Sequence, residues 1–268
     1  MIHMHIAIIG SWYDSLMTLG LLKHTHQQFS CIIDAKYWPR EQKSSALRNE
    51  RVQASIDYAI SLGAEKIILP PIFELLHKED PKVVPLYQTY VLTHVLPKSR
   101  VGKLGILADT HDTHIIQKAV EALSTQYQLT DFQSKTKKFQ SPFSRWTKDV
   151  SIWSDFLRRA KPSDWMLRKY IKNDLRYFQD ADVDSLIPTS YTHFYRETVL
   201  RHHLNFKKIR RQEKTLLQDV TTQLLWMGEG FDCKIFANDD ISKIIETHPW
   251  IWFVKKDWEL HNVEYQDW

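Results

Sequence analysis

Six short apolar runs, most of them rich in β-branched residues, recur along the chain with longer amphipathic stretches between them. They lie from Ile6 to Ile9, Cys31 to Ile33, Ile67 to Leu69, Val101 to Leu107, Leu186 to Ile187 and Ile235 to Phe236. Between them, Arg48, Arg51, Val52, Ser55, Ile56, Ala59, Ile60 and Leu62 trace one helical stripe, and Ile115, Ile116, Ala119, Val120, Ala122 and Leu123 trace another. Alternation of buried strands with helices predicts an α/β architecture of parallel sheets flanked by helices. Ligands of such sheets sit beyond the carboxyl ends of the strands. The stretches that carry chemistry are therefore the strand exits: Ser11 to Ser15, Asp34 to Arg40, Pro70 to Glu74, Asp109 to His114 and Thr189 to His193.

With 268 residues, 43% of them hydrophobic, and only 7 glycines, the chain buries a core large enough for one big or two modest domains and is not a disordered sequence. No run approaches the roughly 20 apolar residues that span a bilayer, and the start, Met1-Ile2-His3-Met4-His5, lacks a signal-peptide pattern. A cytoplasmic protein without membrane contact is the expectation. The two cysteines, Cys31 and Cys233, are far apart and outside any Cys-x-x-Cys spacing, which argues against a disulfide framework or a cysteine zinc site. Pro97 to Arg100 interrupts two apolar runs and suggests a boundary. The expected lobes are 1–97 with 212–268, and 98–211.

The net charge of +4 hides an uneven distribution. From Lys135 to Arg176 there are twelve Lys or Arg against four Asp, and from Arg196 to Lys214 seven against two Glu. Phe139, Phe143, Trp146, Trp153, Phe156, Trp165 and Tyr170 interleave with the first basic stretch. Such a mixture stacks bases while pairing phosphates, or forms a helical cap whose rings are buried and whose cations snorkel outward. The helical spacing of Trp146, Trp153 and Phe156 favours a cap, a helical insert over about 133–180. The alternative role for the chain is an interaction protein that binds nucleic acid or a protein partner through this insert. Trp250, Trp252, Phe253, Trp258 and Trp268 crowd the last stretch, which is expected to dock on the body of the protein or to form a homodimer.

Ile8-Ile9-Gly10 followed by Tyr13-Asp14-Ser15 resembles the first strand and Asp-Ser loop of the cofactor-independent glutamate and aspartate racemases. Asp34 through Arg40 resembles their second loop, with Pro39 and Arg40 compressed. Residues Gly102 to Ala108 resemble the strand that opens their second domain. Asp184-Ser185-Leu186-Ile187 followed by Tyr191-Thr192-His193-Phe194 resembles the strand and loop that close their site. The resemblance implies two similar parallel-sheet lobes with flanking helices, a ligand cleft between them, a small carboxylate ligand such as an amino or oxo acid, and no cofactor.

It also implies two cysteines, one on each face of the substrate α-carbon. Here the first position aligns with Pro70, in Leu69-Pro70-Pro71, and the second with Tyr191. Proline has no titratable group and tyrosine ordinarily titrates near 10, so the two-thiol mechanism does not run as written. The glycines that usually follow the Asp-Ser pair are Leu16-Met17-Thr18-Leu19 here.

What remains is a racemase-like protein without thiol racemisation, a binder or regulator, or an acid–base isomerase acting through His193 and a carboxylate. The candidate catalytic groups are His193, Asp14 and Tyr191. The candidate substrate-binding groups are Ser11, Ser15, Arg40, Thr110 and Thr192, with Arg40 as charge partner of the acid. His193 is the best single proton-transfer candidate, since a histidine ordinarily titrates near neutrality. It equally suits a loop bridge, and Asp14 equally suits a helix cap. Asp109-Thr110-His111-Asp112-Thr113-His114 resembles the first metal motif of metallophosphoesterases. The later loops of that family are absent, so no metal is assigned.

Overall fold

The computed structural model describes residues 4–25, 27–34, 45–108, 113–133, 143–158, 164–191, 193, 214–225, 232–237 and 259–262. The chain divides into two compact units, Met1–Leu86 with Gln218–Trp268, and Tyr87–Leu217. The polar break at Pro97 to Arg100 falls inside the second unit.

In the first unit, β1 (His5–Gly10), β2 (Gln28–Ile33), β3 (Lys66–Ile68), β7 (Asp232–Ala237) and β8 (Glu259–Asn262) form a sheet in the order β3-β1-β2-β7-β8. Every pairing in it is parallel. Four of these strands were legible as apolar runs: β1, β2 and β7 because central parallel strands are buried on both faces, and β3, at the sheet edge, because Ile67 and Ile68 are buried as well. β8 was not, because Glu-Leu-His-Asn carries the polarity of a sheet edge.

Helix α1 (Trp12–Leu22) and helix α2 (Ser45–Ser61) connect these strands. α2 buries Val52, Ile56 and Ala59 against Ala7, Ile9, Ile32, Ile67 and Phe236. It ends at Gly63, whose φ of +88° is a conformation that favours glycine. The short helix α3 (Pro71–Leu76) follows β3.

In the second unit, β4 (Lys103–Ala108), β5 (Ser144–Asp149) and β6 (Ser185–Pro188) form a parallel sheet in the order β5-β4-β6. Helices α4 (Leu86–Tyr90), α5 (Thr113–Gln133), α6 (Ser151–Arg158) and α7 (Asp164–Asp180) accompany it. A last helix, α8 (Lys214–Leu225), spans the chain break between the two units.

The insert is not helical throughout, as its ring spacing had suggested. Its first described part is strand β5, with Trp146 on it, and α6 and α7 follow. Ser-Arg-Trp-Thr-Lys-Asp has no apolar run because β5 is an edge strand, exposed or half-buried along its length. Its pairing is decided by β4, residue for residue from Lys103 with Ser144 to Ala108 with Asp149. The two helices do act as a cap. Trp153 and Phe156 of α6 and Leu167, Ile171, Leu175 and Phe178 of α7 are buried with Leu107, Val150 and Leu186. Side chains of that size contribute about 1.5–3 kcal/mol each when fully buried.

Gly105, in the middle of β4, permits this packing. A Cβ there would lie 2.7 Å from Cδ1 of Phe178 and 2.9 Å from Cδ2 of Leu186. Asp184 closes the unit from the other end, at the start of β6. Its carboxylate accepts hydrogen bonds from the Ser99 hydroxyl at 2.8 Å, from the backbone N–H of Val101 at 2.9 Å and from that of Arg100. Three donors on one buried carboxylate fix the turn that leads into β4.

Among the described residues, no helix is long and apolar enough to cross a membrane.

Candidate functional site

The residues expected to carry chemistry gather at the carboxyl ends of the strands within each unit. In the first unit, β1 ends at Gly10 and α1 begins two residues later. Ser11 caps the helix. Its hydroxyl accepts the Asp14 N–H at 3.0 Å and donates to the Asp14 carboxylate at 2.7 Å. The helix cap is thus Ser11 and not Asp14: the serine hydroxyl satisfies one orphan N–H of the first turn, that of Asp14, and Asp14 holds the hydroxyl in place.

Gly10 is enclosed by this turn. A Cβ there would lie 3.1 Å from Ser15 Oγ, 3.2 Å from Asp14 Cβ and 3.4 Å from Pro70 Cγ. The exit of β1, the first turn of α1 and the segment after β3 therefore meet at one point. Pro70 stands where the resembling family places its first thiol, and its ring is part of this wall. Its carbonyl accepts the N–H groups of Phe73 and Glu74 at 2.9 and 3.0 Å, which starts α3. Glu74 is fully buried.

Ser15 is also fully buried, and its hydroxyl has no hydrogen-bond partner among the described residues. A buried hydroxyl without a partner is a costly arrangement, on the order of 1–3 kcal/mol, and such groups are rare in folded proteins. This one lies in the first turn of α1, where backbone N–H groups and the helix dipole favour an anion.

One charged pair at these strand exits was not singled out from the sequence. Asp34 follows directly on β2, donates its N–H to the Gly10 carbonyl at 3.2 Å, and faces Arg51 of α2, with Nε 3.5 Å from Oδ2. Both side chains are buried, at 1% and 6% exposure. The signal was present: Arg51 falls on the apolar stripe of α2, and a guanidinium on a buried stripe needs a carboxylate.

In the second unit, β6 leads into Thr189, Ser190, Tyr191 and His193, all of them buried. Thr189 donates to the Leu107 carbonyl at 2.5 Å, and the His193 N–H donates to the Ser190 carbonyl at 3.2 Å. The His193 ring packs edge-on against Trp153, with centroids 5.8 Å apart at 68°. Burial pushes its pKa from 6.5 down to about 3. The expected titration near neutrality is therefore displaced. Water is excluded around the ring, so the imidazolium loses its hydration and the neutral form dominates at ordinary pH.

The structure thus brings Ser11, Asp14 and Ser15 together in one unit, and Tyr191 and His193 together in the other. Arg40, Thr110 and Thr192 lie outside the described residues, as do Asp109, His111, Asp112, Phe194 and the aromatic residues of the tail. Among the described residues, no group of three His, Cys, Asp or Glu side chains is placed to hold a metal ion.

Neither cysteine lies at a strand exit. Cys31 pairs with Ile8 and with Ile235, two residues short of the end of β2, and Cys233 pairs with Phe29 near the start of β7. Both thiols are buried. Cys31 and Cys233 are diagonal neighbours on adjacent strands. A hydrogen bond with Cys31, together with burial, drives the Cys233 thiol pKa far upward. Both thiols are covered side chains of the sheet interior.

No protein-family model matches the sequence, and no curated protein matches it. Solved structures do. Glutamate racemase from Francisella tularensis, in complex with D-glutamate, superposes with a TM-score of 0.70 at 12% identity over 99% of both chains. A glutamate racemase isoform from Bacillus anthracis gives 0.72 at 10% identity over 98% of both. Glutamate racemase from Thermus thermophilus gives 0.67 at 12% identity over 99% of this chain and 98% of that one. The two parallel-sheet α/β lobes of this protein have the Asp/Glu racemase fold. At these identities the likeness fixes the fold, and activity has to be argued from the residues.

Proposed function

We propose that this protein binds a small carboxylate, an amino or oxo acid, at the carboxyl ends of its strands and does not carry out two-cysteine racemisation. The observation that carries the reading is the Ser15 hydroxyl, buried and without a partner in the first turn of α1. A ligand carboxylate there accepts the hydroxyl proton and meets the positive end of the helix. Asp14, half-buried one residue earlier, opposes a bare anion and suits the ammonium group of an amino acid. The pair therefore favours an amino acid over an oxo acid.

The chemistry of turnover is argued against by the groups present. Proton abstraction beside a carboxylate needs a base and an acid matched to neutral pH. Pro70 offers neither, and both thiols are covered inside the first sheet. An imidazole with a pKa of about 3 is a weak base and holds no proton to return at pH 7. His193 is a neutral, packed ring within the second unit, and the protein acts as a binder or regulator on the racemase scaffold.

Two measurements test this. A thermal-shift screen of D- and L-amino acids and oxo acids with three to six carbons should give a hit that Ser15→Ala weakens. A ligand at a hundred times its dissociation constant adds about 2.7 kcal/mol to stability, a shift that is easily read. No stabilisation by any acid of the panel refutes binding. Incubation of the hits in heavy water should show no deuterium at the α-carbon above buffer, and exchange catalysed by the protein refutes the loss of racemase chemistry.

A further inference from the structure

We propose that the exposed face of α7 is a docking surface for single-stranded nucleic acid. The inner stripe of this helix, Leu167, Ile171, Leu175 and Phe178, is occupied by the core of the second unit. At 100° per residue, the outer side carries two stripes instead. One is Trp165, Lys169, Lys172 and Arg176. The other, about a third of a turn round, holds Tyr170 and Tyr177. All six side chains are exposed, and Trp165 is 70% exposed.

A tryptophan that open to water has no packing role. It sits instead beside a cation: Lys169 Nζ lies 5.7 Å from its ring centroid, and Lys148 Nζ lies 6.0 Å from that of Tyr177. Rings and cations share this side of the helix over roughly 17 Å.

The charge on this face is one-sided. Between residues 165 and 177 the one acid, Asp174, is turned inward: it accepts the Trp153 indole N–H at 2.8 Å and pairs with Lys148 at 3.7 Å. Asp180 approaches Arg176 at 3.9 Å, but both side chains are largely in water, so this pair neutralises little. A polyanion with flat faces matches both features at once: phosphates meet the cation stripe and unpaired bases stack on the rings. A membrane surface fits less well. Insertion needs a continuous apolar stripe, and the one α7 possesses is already buried in the core. The surface is separate from the Ser15 site and does not depend on the carboxylate reading.

The test uses the full chain and a fluorescein-labelled oligothymidylate of about 15 nucleotides, followed by fluorescence anisotropy, with an abasic strand of equal charge as the control. Binding should be saturable at 50 mM salt and weaken roughly twentyfold by 200 mM, as expected for about three phosphates neutralised on a single strand. Trp165→Ala should lower affinity for oligothymidylate about tenfold and leave the abasic strand unchanged, because it removes a stacking platform and no charge. The triple reversal Lys169→Glu, Lys172→Glu, Arg176→Glu should abolish both interactions. Should the triple variant misfold, Trp165→Ala and the salt slope still decide, since the indole supports no packing. Absence of binding at 50 mM salt, equal affinity for the two strands, or an unaltered affinity of Trp165→Ala overturns the proposal. Sedimentation with phosphatidylserine vesicles in place of oligonucleotide binding also overturns it.

Discussion

His193 makes the stability of the second unit depend on pH in a way that a single substitution exposes. In the unfolded chain a histidine protonates near 6.5; in the folded protein burial lowers that to about 3. Between these values the unfolded state binds one proton more than the folded state. The contribution of His193 is therefore fully present above pH 6.5 and is lost as pH falls toward 3, with a slope near 1.4 kcal/mol per pH unit. From pH 7.5 to pH 5, before most carboxylates titrate, the loss is about 2 kcal/mol, and over the whole window it is roughly 5 kcal/mol. The ring is wholly enclosed, with Trp153 against one edge, so solvent screening does not reduce the figure. The assay is urea unfolding at pH 7.5 and pH 5 for the wild type and for His193→Leu, which keeps an apolar side chain of similar bulk. The variant should show the smaller loss on acidification, by about 2 kcal/mol. Histidine ring NMR provides the direct check: one imidazole of the folded protein should remain neutral at pH 5. Equal pH slopes in the two proteins, with every ring titrating above pH 5, refute the assignment.

Two further outcomes follow from packing. Arg51→Met leaves the Asp34 carboxylate buried opposite a thioether and should cost about 3–5 kcal/mol in urea unfolding, whereas Arg51→Met with Asp34→Leu should recover most of it. Gly105→Ala drives a methyl group into Phe178 and Leu186 and should cost about 1–3 kcal/mol, with a partial recovery in Phe178→Leu that marks overpacking as the cause.

Much of the architecture was written locally. β1, β2, β4 and β7, flanked by a strand on each side, announce themselves as apolar runs because both faces of a central parallel strand are covered, and the sheet edges β3 and β6 do so because their residues are largely buried as well. The apolar positions of α2 repeat at helical spacing for the same reason. Polar edges escape such reading: β5 is exposed or half-buried along its length and β8 reads Glu-Leu-His-Asn, and the pairing of each is imposed by the neighbouring strand. Of the site, Ser11, Asp14 and Ser15 were legible as an Asp-Ser turn after a strand, and Pro70 and Tyr191, which carry no thiol, were visible in the sequence itself.

Other properties arise only when distant segments meet. Neither the unpartnered state of the Ser15 hydroxyl nor the lack of room at Gly10 can be read from a stretch of sequence, because Pro70 closes that point from sixty residues away. The basicity of His193 is likewise set by the burial that Trp153 and the β6 exit impose on it, so a residue type that ordinarily titrates near neutrality is held neutral. The basic aromatic stretch was divided by the fold. Periodicity assigned rings and cations to one segment, and tertiary packing divided them, placing Trp153 and Phe156 in the core and leaving Trp165 among the cations of α7. Sequence settles which side chains are present and at what spacing; burial, which sets their protonation and their exposure, is a property of the folded whole.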